Sequence, residues 1–139
     1  MYFINLPLQT KDKKRNKYFI FFISQILLIK LNGEGLTDVN FTNVKTLNLT
    51  DMVGMFDGCV SLTSIDLSSF DTKNVIYFGL IFDNCPNLRY IDISSFNCNS
   101  EYFYDMFTEF PDFGTIKVNN NCDSIVEEYI PSNWSIISE

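Results

Sequence analysis

An apolar pattern returns along this chain at a nearly fixed interval. VSLTSIDLSSFDTKNVIYFGLIFDNC, from Val60, aligns with PNLRYIDISSFNCNSEYFYDMFTEF, from Pro86. Leu62, Ile65, Leu67 and Phe70 recur as Leu88, Ile91, Ile93 and Phe96. Asp66, Ser68 and Ser69 recur as Asp92, Ser94 and Ser95; Cys59 recurs as Cys85, and Met55-Phe56 as Ile81-Phe82. Every offset is 26. A backward step reaches Leu36, Val39, Phe41 and Val44. Forward, one residue is lost near Cys98–Phe103, so that Phe78, Phe82, Leu88, Ile91 and Ile93 match Phe103, Phe107, Phe113, Ile116 and Val118 at an offset of 25. Three full units and a fourth that keeps only its strand are thus in phase, which is the signature of a repeat array.

Each unit holds two periods. Ile65 and Leu67 lie two apart, so they share one strand face and Asp66 points to the other. Val75, Phe78, Ile81, Phe82 and Cys85 fall at three- and four-residue intervals, which predicts a short amphipathic helix. Asp71, Thr72 or Asn74 would cap it. A unit of short helix plus short strand cannot bury its apolar face alone, so neighbours stack and their strands form a parallel sheet. Three internal columns are expected: Leu36, Leu62, Leu88, Phe113; Val39, Ile65, Ile91, Ile116; and Phe41, Leu67, Ile93, Val118. Met52, Phe78 and Phe103, with Phe56, Phe82 and Phe107, would fill the opposite wall. Residues 119–139 read as a capping tail: an Asn-rich loop, one short helix from Asp123 to Ile130, and Trp134 covering the last rung.

Residues 1–35 differ from the rest. Lys11, Lys13, Lys14, Arg15 and Lys17 precede the apolar run Tyr18 to Ile29. Twelve residues span about 18 Å as a helix, short of the roughly 30 Å hydrocarbon core. The segment reads as a secretory signal or anchor, or as a folded cap over the first repeat. Membrane association is expected only through residues 18–31.

The run L-T-S-I-D-L-S-S-F-D-T-K-N-V, followed by I-F-D-N-C-P-N-L, resembles the leucine-rich repeat of BspA-like surface proteins, also seen in mycoplasma lipoprotein-like repeats. The matching positions are Leu62, Ile65, Asp66, Leu67, Phe70, Asp71, Thr72, Asn74, Val75, Phe82, Cys85 and Leu88, and Met55-Phe56 with Cys59 fits the end of the unit. Asn97-Cys98-Asn99-Ser100 departs from Asp71-Thr72-Lys73-Asn74, and Phe110 replaces the Cys of the third unit. The resemblance spans Leu36 to about Val118. It implies an α/β leucine-rich-repeat solenoid of roughly 26-residue units over residues 36–118, with the parallel sheet on its concave side. It also implies surface exposure and adhesion, and it brings no catalytic residues.

Charge sharpens this picture. Residues 1–30 hold 6 of the 10 basic residues and 1 of the 17 acids, leaving 4 bases against 16 acids, a net −12, in the remainder. So acidic a body does not read as a nucleic-acid binder. There is no His, no nucleophile motif and no pocket signature, so an enzyme, a cofactor and a bound metal are not expected. On the outward strand face one column is Asp38, Ser64, Tyr90 and Thr115, and its neighbour is Asn40, Asp66, Asp92 and Lys117. Tyr90 between Asp66 and Asp92 suits a basic or sugar-bearing partner. The expected function is therefore a surface or secreted module that binds a protein or glycan through Tyr90, Asp66, Asp92, Ser64, Asp38, Asn40 and Lys117. The alternative is an intracellular, cytoplasmic protein–protein scaffold.

Cys59 and Cys85 share an inward position and read as packed free thiols, although stacking also leaves a bond between them within reach. Cys98 and Cys122 are out of register with them, and Cys122, in the Asn-rich loop, is expected to be the readily labelled thiol.

Overall fold

A computed structural model describes residues 38–41, 46, 49–99 and 102–139. The expectations for residues 1–35, for Leu36 and Val44, and for the side chains of Asp38, Val39 and Asn40 lie outside the described residues. The elements in chain order are β1 (Asp38–Asn40), β2 (Ser64–Asp66), β3 (Tyr90–Asp92), β4 (Gly114–Val118), α1 (Asp123–Tyr129) and β5 (Trp134–Ser138). The five strands form one sheet in sequence order, every neighbouring pair parallel. Val39 pairs with Ile65, Ile65 with Ile91, and Ile91 with Ile116.

The fold class differs from the expected one. It is a small domain with one parallel sheet and, among the described residues, one helix; it is not a solenoid of helix-plus-strand units. The stretch expected to be helical, Val75 to Cys85, is a chain of turns, as are its counterparts. The reason lies in where the backbone N–H groups go. The N–H groups of Met52, Gly54, Phe56 and Gly58 donate sideways to the carbonyls of Tyr77, Gly79, Ile81 and Asp83, at 2.9 to 3.1 Å. Those of Met55, Asp57 and Cys59 close three-residue turns onto Met52, Gly54 and Phe56. Phe78 and Leu80 donate in turn to Tyr102 and Tyr104. Donors used laterally cannot build a helical ladder. Left-handed residues recur every four positions, at Gly54 and Gly58, Leu80 and Asn84, Asp105 and Glu109, and each interrupts a right-handed helix.

The apolar intervals nonetheless mark what is buried. Phe56, Phe82 and Phe107 stack at 5.8 and 6.3 Å, and Phe78 stacks on Phe103 at 4.8 Å, facing Leu62, Ile65, Leu67, Leu88, Ile91 and Ile93 across one core. Each such aromatic pair adds about 0.5–1.5 kcal/mol beyond its area burial. Polar side chains stitch successive turns together. Thr72, expected as a helix cap, is instead buried: its hydroxyl donates to the Ser95 carbonyl and accepts from the Asn97 N–H. The Ser69 and Ser95 hydroxyls donate to the carbonyls of Phe41 and Leu67.

Two further expectations are corrected. Phe113 is not internal but 61% exposed, with the Arg89 guanidinium 4.8 Å above its ring. The indole of Trp134 lies directly on Gly114, stacks on Phe110 and donates to the Pro111 carbonyl, so Trp134 fills the end of the core and Phe113 turns outward. Cys122 is not a free thiol. It is buried and bonded to Cys98, with Cα atoms 5.1 Å apart, which pins the start of α1 to the preceding corner. Cys59 and Cys85 are free and buried.

Candidate functional site

The outward sheet face is built by alternation. Ile65, Ile91 and Ile116 point into the core, so the residues flanking them point away from it. Register sets Ser64, Tyr90, Thr115 and Ser135 in one row, and Asp66, Asp92, Lys117 and Ile137 in the next. The backbones of Asp38 and Asn40 extend these rows at β1.

The candidate residues do not have equal roles. Tyr90 is 37% exposed, a flat aromatic in the middle strand. Partial burial, then the Asp92 charge, push its phenol above the usual range, with Lys117 opposing; it therefore stays a neutral hydrogen-bonding group. Asp66 is exposed, and its carboxylate accepts the Ser68 N–H at 2.9 Å. Asp92 is only 6% exposed; it accepts the N–H and hydroxyl of Ser94 at 2.9 and 2.6 Å and lies 3.7 Å from the Lys117 ammonium. Both acids thus fix the turn that follows their strand, an Asx-turn role. Asp92 is largely withdrawn from solvent, contrary to the expectation of an open acidic column. Lys117 also pairs with Glu139 at 2.8 Å. That hydrogen bond first, opposed by desolvation, and then Asp92 raise the Lys117 ammonium above the ordinary lysine value.

The sequence reading missed β5. Ser135 and Ile137 widen the face, and Ile137 is exposed beside Lys117. The alternation in W-S-I-I-S, with Trp134 buried and Ile136 packed against the core, was the available signal. Among the described residues, this face presents Tyr90, the hydroxyls of Ser64, Thr115 and Ser135, the accessible Asp66 carboxylate, the Asp92–Lys117–Glu139 ion-pair cluster and the exposed Ile137. Such a face can stack and hydrogen-bond a ligand.

Among the described residues, no helix is long and apolar enough to cross a membrane. No curated protein and no solved structure matches the chain. Residues 30–128 match the model of a family described as Mycoplasma protein of unknown function, DUF285. That match covers well over half of the 139 residues, and the chain belongs to that family.

Proposed function

We propose that this chain is a non-enzymatic binding module, secreted or displayed at the cell surface, that adheres to a protein or glycan on a host or neighbouring cell. The observation that carries this reading is the open sheet face with Tyr90 at its centre, flanked by Asp66 and the Asp92–Lys117 pair. Aromatic residues dominate binding hot spots, and Tyr offers stacking area and a hydroxyl at low entropic cost. The Cys98–Cys122 bond supports placement outside the reducing cytoplasm. The likeness of Leu36 to about Val118 to BspA-like surface repeats supports adhesion.

The test is titration of the labelled chain onto intact target cells, with protease or glycosidase pretreatment to separate protein from glycan targets. Tyr90→Ala weakens binding by about 1–3 kcal/mol without lowering the melting temperature. Loss of Asp66 mainly slows association and flattens its salt dependence. Equal binding by Tyr90→Ala and the parent would overturn the reading.

A further inference from the structure

A second surface, made by the turns rather than the sheet, carries a row of exposed aromatics. Asp51, Tyr77 and Tyr102 stand in parallel bridge register, and the Tyr77 and Tyr102 rings lie 5.0 Å apart, tilted by 43°. The Tyr104 ring lies flat against Gly79, where a Cβ would meet it at 2.7 Å, so its orientation is set by the missing side chain. These three rings are 42%, 43% and 47% exposed. The turn segments that carry them, 51–59, 76–85 and 102–110, contain Asp51, Asp57, Asp83, Asp105 and Glu109 and not one Lys or Arg. An aromatic row on a wall of uniformly negative charge is complementary to a cationic chain.

We propose that this turn wall docks an arginine- and lysine-rich stretch of a partner polypeptide. A guanidinium can lie within about 6 Å of both the Tyr77 and Tyr102 centroids, the range of cation–π attraction, while the flanking carboxylates hold the neighbouring cations. This surface is independent of the sheet face, so either can fail its test alone.

The probe is a short fluorescent oligo-arginine peptide, titrated against the full chain with oligo-glutamate as control. Binding is expected, and it falls steeply as salt is raised. Tyr77→Ser and Tyr102→Ser each weaken it about threefold, whereas Tyr77→Phe and Tyr102→Phe retain it, because the ring face and not the phenol does the binding. The combined variant Asp51→Asn, Asp105→Asn, Glu109→Gln loses binding and its salt dependence. It should fold, since Asn can still accept the Val53 N–H and tolerates the left-handed backbone at 105. Oligo-arginine binding that these variants leave unchanged would overturn the proposal. So would binding of a neutral oligosaccharide, lost in the Ser variants, with none of the cationic peptide.

Discussion

Asp66 and Asp92 occupy one repeat position and look alike in sequence, yet they differ in what they offer a partner. Both hold a turn through the N–H two residues on, but only Asp92 has a lysine beside it, because Lys117 arrives from the next strand. That difference depends on a register 25 residues away and could not be read from either aspartate's neighbours. Backbone strain is also a residue-scale property. Asn84 sits at φ 52° and is exposed. Asn84→Gly should stabilise the fold by about 0.5 kcal/mol, and Asn84→Val should destabilise it by about 1–2 kcal/mol, both checked by urea denaturation. The thiols make a sharper prediction. Burial first, then the Asp57 charge, push the Cys59 thiol from 9.0 up to about 12. The folded state thus holds this proton where the unfolded chain releases it. Its contribution is complete below pH 9 and disappears as pH climbs toward 12. Stability should fall across that window, and Cys59→Ala should flatten the fall. A maleimide should label Cys59 and Cys85 slowly in the folded state and quickly in denaturant.

At the scale of elements, the strand register and most of the buried set were legible, Phe113 and Thr72 being the exceptions. Period-two spacing at Ile65 and Leu67 and the 26- and 25-residue offsets correspond to the pairing of Ile65 with Ile91 and Ile91 with Ile116. The turns were not legible. Successive three-residue turns bring Phe78, Ile81, Phe82 and Cys85 inward at the same intervals a helix would, so apolar spacing alone cannot separate the two. Glycines at 54 and 58 were the signal for left-handed backbone, but Leu80, Asn84, Asp105 and Glu109 conceal it in the later copies. The face lost β5 for a different reason: it belongs to no repeat unit. Gly114 is the key to that strand. Gly114→Ala would drive a Cβ into the Trp134 ring. Trp fluorescence should shift to the red as the indole leaves Phe110, with β5 loosened. Helix α1 is only seven residues long, has no side-chain cap and buries Val126 alone. A helix that short does not persist by itself. It is held by the Cys98–Cys122 bond and by the Ser138 hydroxyl donating to Asp123. Reducing the bond should lower stability by about 3 kcal/mol, as closure of a loop of this size predicts, and remove helical circular dichroism before the sheet melts.

For the whole molecule, two surfaces of different chemistry face away from one shared core. The sheet face is mixed in charge, with Lys117 neutralised by Asp92 and Glu139. The turn wall is acidic and aromatic. Alternate N–H groups of the turns at 52–58 donate to the carbonyls of 77–83, and Phe78, Leu80 and Asn84 donate to Tyr102, Tyr104 and Thr108, while the strand register sets Tyr90 and Thr115 side by side. The proposed adhesion runs through the sheet face. A photoreactive residue placed at Thr115, in register with Tyr90, and separately at Glu128, exposed on α1, tests it directly on intact target cells. A covalent adduct is expected from position 115, abolished by Tyr90→Ala, and none from position 128. Adducts from position 128 alone, or from position 115 regardless of Tyr90, would contradict it.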